Sequence, residues 1–178
     1  MRLNVDALED WTFPRLAQDY TVKDSLLYAV SLGFGQDPMD PSQLPFVYER
    51  DLKAVPTMAA ILCHPGRWTA DPKLGVTLNK VVHGEQRVFL HSSLAPAGEL
   101  YARARVTAVE DKGEKGAVIH AARTMFDAKT HEPIASVLHS TFCRIDGGFG
   151  RSFGPTPEAT PCPNRDPDLI VDVVTRPE

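Results

Sequence analysis

The apolar positions of this chain follow two rhythms, a helical one near the start and a strict alternation beyond the middle. Val22, Leu26, Leu27 and Val30 recur near helical spacing, with Gly33 and Gly35 as a stop. Thr21 precedes them as an N-cap and Asp24 stands at N3, a capping-box variant in which Asp takes the place of the usual Glu. A helix is therefore predicted over about Val22 to Leu32. The two prolines of Gln36-Asp37-Pro38-Met39-Asp40-Pro41 cannot continue it. Leu44 to Glu49 reads as a short extended segment containing Phe46-Val47-Tyr48, and Pro56 to Leu62 is apolar and open to strand or helix.

From Gly84 onward the rhythm changes. Leu100, Ala102, Ala104, Val106 and Ala108 alternate with Tyr101, Arg103, Arg105, Thr107 and Val109, the period of a strand with one buried face. Asp111-Lys112-Gly113-Glu114-Lys115-Gly116 follows as a polar turn, and Ala117 to Phe126 is the next strand. Arg123 falls on the face begun by Ala117, Ile119 and Ala121, which calls for a bulge or an exposed strand end. Asp127 to Pro133 turns again, and Ile134 to Ile145 is rich in β-branched residues. Upstream, Gln86 to Leu94 forms a strand that turns at Pro96-Ala97-Gly98. Four consecutive strands joined by short turns predict an antiparallel meander, and with the helix an α+β domain. Beyond Ile145, Pro155, Pro157, Pro161, Pro163 and Pro167 mark a semi-extended connector, before a strand-like Leu169 to Val174.

Composition narrows the class. With 178 residues and a hydrophobic fraction of 43%, the chain suits one globular domain, or one domain with an extension. Its net charge of −4 is spread along the chain, with no basic block for nucleic acid or a membrane surface. Cys63, Cys143 and Cys162 have no CxxC spacing, which argues against a disulfide scaffold or zinc site and for a reducing compartment. No signal peptide or membrane-crossing run is recognisable. The expected setting is a bacterial cytoplasm ahead of a peroxisome.

Four strings carry more specific information: Phe46-Val47-Tyr48-Glu49, Val81-Val82-His83-Gly84-Glu85-Gln86, Asp111-Lys112-Gly113 and Gly147-Gly148-Phe149-Gly150, in that order. Together they resemble the amino-terminal half of MaoC-like, type 2 (R-specific) enoyl-CoA hydratases, a family that includes the hydratase part of peroxisomal multifunctional enzymes. The resemblance runs from about Ser25 to the end, and His-Gly-Glu-Gln followed by a strand is its most specific part. It implies a hot-dog fold, an antiparallel sheet wrapped on a helix, with the central helix reduced in this half to admit a bulky acyl chain. It also implies two such halves, the second bearing the hydration motif, roughly Tyr-x-x-Ser-Gly-Asp-x-Asn-Pro-x-His. That motif is absent here, and Gly35-Gln36-Asp37-Pro38 echoes it without the following His. The expected organisation is a hot-dog domain over 1–150 and a connector over 151–178 leading toward a second half. That half would lie in the same or another polypeptide, in a homo- or heterodimer.

The resemblance thus implies a half that holds an acyl-CoA thioester, with CoA entering as part of the substrate, no separate cofactor and no catalytic residue of its own. It places His83 and Gly84 beside the acyl-CoA, where glycine permits close backbone approach, and Lys112 near a CoA phosphate; Lys115 in the same turn is an alternative. On the residues alone, His83 reads as a histidine opening a strand and Lys112 as a solvated turn lysine. His120 and His139 lie on adjacent predicted strands and could face each other, but no Cys, Asp or Glu completes a metal site. Arg103 and Arg105 alternate out toward solvent. Phe46, Tyr48, Phe89 and Phe126 offer an acyl-tunnel lining or ordinary core, and Cys143 reads as an inert buried thiol. A hot-dog thioesterase with an Asp or Glu base and a non-catalytic acyl-CoA carrier are the competing readings.

Overall fold

The computed structural model describes residues 3–172. Its strands are β1 (Leu16–Tyr20), β2 (Val81–Leu90), β3 (Gly98–Asp111), β4 (Ala117–Asp127) and β5 (Pro133–Cys143). They form one antiparallel sheet in the order β1-β3-β4-β5-β2. The expected meander therefore holds for β3, β4 and β5, but β2 pairs with β5 and not with its neighbour in sequence. The reason lies in the stretch after β2. Pro96-Ala97-Gly98 is no hairpin turn: the Tyr20 hydroxyl donates to the Ala95 carbonyl at 2.7 Å and the Ser25 hydroxyl to the Pro96 carbonyl at 2.7 Å. Those bonds tie the loop to the far side of the sheet, so the chain crosses β5 and β4 to reach β3. β2 begins earlier than its pattern suggested and forms one edge of the sheet, with β1 at the other.

The predicted first helix forms as α2 (Val22–Ser31), after α1 (Val5–Glu9), with both arms of the Thr21–Asp24 capping box in place. Such a cap is worth about 1 kcal/mol. It is not the element that fills the sheet's concave face, since it buries only Ser25 and Ala29, while Leu27 and Val30 stay exposed. That place is taken by a single 3₁₀ turn, Pro56–Ala60, whose Met58 and Ala59 pack with Leu62 onto Ala102, Met125, Ala135 and Val137. Met58, Leu62 and Met125 are almost wholly buried, roughly 2 kcal/mol apiece. The sheet of a hot-dog fold is present, and the helix it wraps is reduced to five residues.

Three local expectations change. Leu44 to Glu49 is not extended: Asp40 caps a turn begun by Pro41, and α3 (Leu44–Val47) follows, with Phe46 packed on Phe34 at 5.0 Å. Arg123 sits neither at a bulge nor at an exposed end. It pairs in regular register with Ala104 and Val137 and is 5% exposed. Residues 169–172 form no strand, and Val173 and Val174 lie outside the described residues.

Two of the recognised strings prove to be one structural lock. The Asp111 carboxylate accepts from the backbone N–H groups of Gly113 at 2.8 Å, Gly148 at 2.7 Å and Gly150 at 2.6 Å. These bonds hold its carboxyl below the usual range. A Cβ on Gly147 would run into the Gly116 and Gly113 carbonyls, which is why glycine stands there.

Candidate functional site

β2, β4 and β5 present alternate side chains to two faces, and each face carries a polar cluster. On the inner face a cavity of about 200 Å³ opens beside the reduced helix, walled by Phe13, Trp68, Val81 and Val137. His83 stands opposite Thr141 in the ladder, its ring edge-on to His139 with centroids 4.6 Å apart. His64 enters from the loop after Cys63. Burial first, then the fields of His83, His64 and Arg123, push the His139 imidazole down to about 4. His64 is also lowered, by burial and then by Arg123. Near neutrality His139 is therefore an uncharged imidazole that both donates and accepts.

Arg123 lies deepest in this cluster. Its Nε donates to the Leu62 carbonyl at 3.2 Å, and Nη2 to the carbonyls of Ala59, at 3.3 Å, and Ala60. The guanidinium thus closes the C-terminal end of the 3₁₀ turn, satisfying carbonyls left without helical partners. Burial depresses its pKa. Sequence periodicity flagged the anomaly but not its resolution, because the carbonyls come from a segment about sixty residues upstream.

One residue further along the same strands, the outer face holds a continuous row. The Ser140 hydroxyl meets His120 Nδ1 at 2.8 Å, His120 Nε2 meets Glu110 at 2.7 Å, and the other Glu110 oxygen accepts from Lys112 Nζ at 2.6 Å. Burial pushes the Glu110 carboxyl up, but hydrogen bonds from Lys112 and His120 outweigh it and leave it below the usual range. Residues Thr156 to Ala159 of the connector border this groove, and Arg87 Nη2 donates to the Glu158 carbonyl at 2.7 Å.

The recognised residues divide between these faces. His83 lines the inner cavity, while Gly84, Lys112 and Lys115 line the outer groove. Gly84 sits at the bulge between His83 and Glu85, where a Cβ would come within 3.1 Å of the Ser140 carbonyl. Lys112 is paired with Glu110, which the turn sequence did not reveal. His120 and His139 do not face each other: His120 is opposite Ser140 and His139 opposite Ala121, so the two rings take opposite faces. Phe46, Tyr48, Phe89 and Phe126 leave the lining of the cavity to Phe13 and Trp68. Burial and then Asp146 push the Cys143 thiol up to about 12, consistent with an inert thiol.

Over residues 18–145 the chain matches the MFE-2 hydratase 2 N-terminal domain. It is 33% identical over 183 residues to 3-hydroxyacyl-thioester dehydratase Y of Mycobacterium tuberculosis, covering 99% of this chain and 60% of that protein. It is 32% identical over 166 residues to the peroxisomal multifunctional enzyme type 2 of Mus musculus, covering 89% of this chain and 22% of that enzyme. A crystal structure of a MaoC-like dehydratase from Phytophthora capsici shares the fold with a TM-score of 0.74 at 27% identity, covering 94% of this chain and 58% of that one. The chain thus spans less than two thirds of the length of these relatives. The family match covers most of the chain and the fold agrees with the Phytophthora capsici structure, and the chain belongs to the MFE-2 hydratase 2 N-terminal domain family.

Proposed function

We propose that this chain is the substrate-binding half of an (R)-specific 2-enoyl-CoA hydratase or dehydratase, acting on acyl-CoA thioesters together with a second hot-dog half. One observation carries the reading. The inner cavity has imidazoles, two threonine hydroxyls, two arginines and apolar walls, but among the described residues no carboxylate lines it. Hydration needs a carboxylate–histidine pair on one water, and this cavity offers a place to hold a chain without that pair. Replacement of a central helix by the turn Pro56–Ala60 provides the room.

In this reading 1–150 is the binding domain and 151–178 leads toward the second half, in the same or another polypeptide. β2 is an edge strand with unpaired backbone groups along one side, which the second sheet would cover. His83 contacts the acyl thioester, Gly84 lets the backbone approach it, and Lys112 turns from Glu110 toward a CoA phosphate. CoA enters as part of the substrate.

The test is trans-2-decenoyl-CoA offered to the purified chain, its end at Glu178 verified by intact mass. Binding without loss of enoyl absorbance is expected, and Lys112→Ala should weaken binding several-fold. Turnover by the chain alone would sink the half-site reading, and release of free CoA would point to a thioesterase. Failure to bind would remove the acyl-CoA assignment.

A further inference from the structure

We propose that the inner cavity receives the carboxylate at the far end of an acyl chain, so that the acyl-CoA held by this half is one with an acidic tail. The substrate class rests on the proposed function; the anion site rests on side chains alone. Arg123 is 5% exposed, yet no carboxylate pairs with it among the described residues. Its Nε and Nη2 are spent on backbone carbonyls, which carry only partial charge, and Nη1 has no partner. A buried cation without a counter-ion is costly, and a ligand carboxylate would supply one through a charge-assisted hydrogen bond from Nη1.

A second group points the same way. Thr141 is 6% exposed and lines the cavity, and its hydroxyl has no hydrogen-bond partner among the described residues. The hydroxyl is reached from the cavity and gives an anion a second donor there. The imidazoles of His64 and His139 add donors around the same space, with no acidic side chain among the lining residues to compete. Phe13, Trp68, Val81 and Val137 form an apolar part of the wall, which suits a hydrocarbon chain, while Arg67 and Thr69 also line the cavity. The lysines placed for CoA phosphates are on the opposite face of the sheet.

The experiment compares decanoate with decanol, matched in length and differing in the charge of the head group, by quenching of Trp68 in the cavity wall. Decanoate should bind at least about tenfold tighter at moderate salt, since its bonds to the guanidinium are charge-assisted. Equal affinities, no binding of decanoate, or displacement of decanoate by CoA alone would each overturn the proposal, the last by identifying a phosphate site. Arg123→Gln should abolish the preference. Thr141→Val, nearly isosteric and outside the carbonyl cage, should reduce it about threefold and keeps the test readable if Arg123→Gln does not fold. A preference intact in Thr141→Val and in folded Arg123→Gln places the anion elsewhere and defeats the proposal. Titration with decanoyl-CoA and its ω-carboxy analogue then separates the two readings. Acyl-CoA binding with no decanoate preference keeps the proposed function and removes this inference. A decanoate preference with no acyl-CoA binding does the reverse.

Discussion

On the inner face of the sheet, Thr141 and Arg123 hold donors that no side chain accepts. One residue away on the same strands, Ser140 and His120 belong to a row in which each group meets the next, through Glu110 to Lys112. Both clusters mix histidine, hydroxyl and cation, and each runs from a buried end (Arg123 and Thr141; His120 and Ser140) to an exposed one (His64 and His83; Lys112). They differ in the carboxylate: the outer row contains Glu110, and the cavity contains none among the described residues. Residue type therefore says little about which cluster binds a ligand; the balance of donors and acceptors says more. A satisfied network rigidifies a sheet, whereas an unsatisfied one offers its free donors to something that enters.

That contrast can be broken at either face. The largest effect is expected from Arg123→Met, which strips the carbonyls of Ala59, Ala60 and Leu62 of their donor and should cost about 3 kcal/mol. Urea unfolding measures it, and a cost below about 1 kcal/mol would show that the arginine does not hold the turn. Next comes acid. His139 is depressed to about 4 against an ordinary 6.5, so the folded state binds fewer protons than the unfolded one between those values. Its contribution is present in full above pH ~6.5 and is lost as pH falls toward ~4. Discounted for solvent screening it is about 1 kcal/mol. His139→Gln should flatten the pH profile in that window alone, and identical profiles for the two proteins would contradict a neutral His139.

On the outer face, Ser140→Ala leaves His120 Nδ1 without a partner and should cost about 1 kcal/mol while ligand affinity at the cavity stays unchanged. A change in affinity would mean that the two faces are coupled. The smallest stability effect is expected from Thr141→Val, within about 0.5 kcal/mol, because its hydroxyl has no bond to lose. A cost like that of Ser140→Ala would reveal an unseen partner and erase the distinction between the faces.

The sequence conveyed local chemistry well. Thr21 and Asp24 announced the α2 cap, and alternation over 100–109 announced β3. The Asp111 and Gly147 strings marked a fixed position, although their contact with each other needed the fold. Pairing was less legible. β2 had a strand's pattern but no signal for β5 over β3, because the hydrogen bonds of Tyr20 and Ser25 that route its exit loop join residues more than seventy positions apart. The cavity was mostly hidden, since Phe13, His64, Trp68 and Arg123 come from segments with no shared motif.

By itself, then, the sequence determined which segments alternate, where they turn, and the family whose strings they carry, since these depend on neighbours along the chain. Only the tertiary structure decided strand order, which segment stands where the reduced central helix was expected, and the separation of His83 from Lys112 across the sheet. Those depend on which distant groups meet. Arg123 shows the physical reason: a charge on a buried face looks like an error along the chain and becomes stable only where the carbonyls of Ala59, Ala60 and Leu62 converge on it.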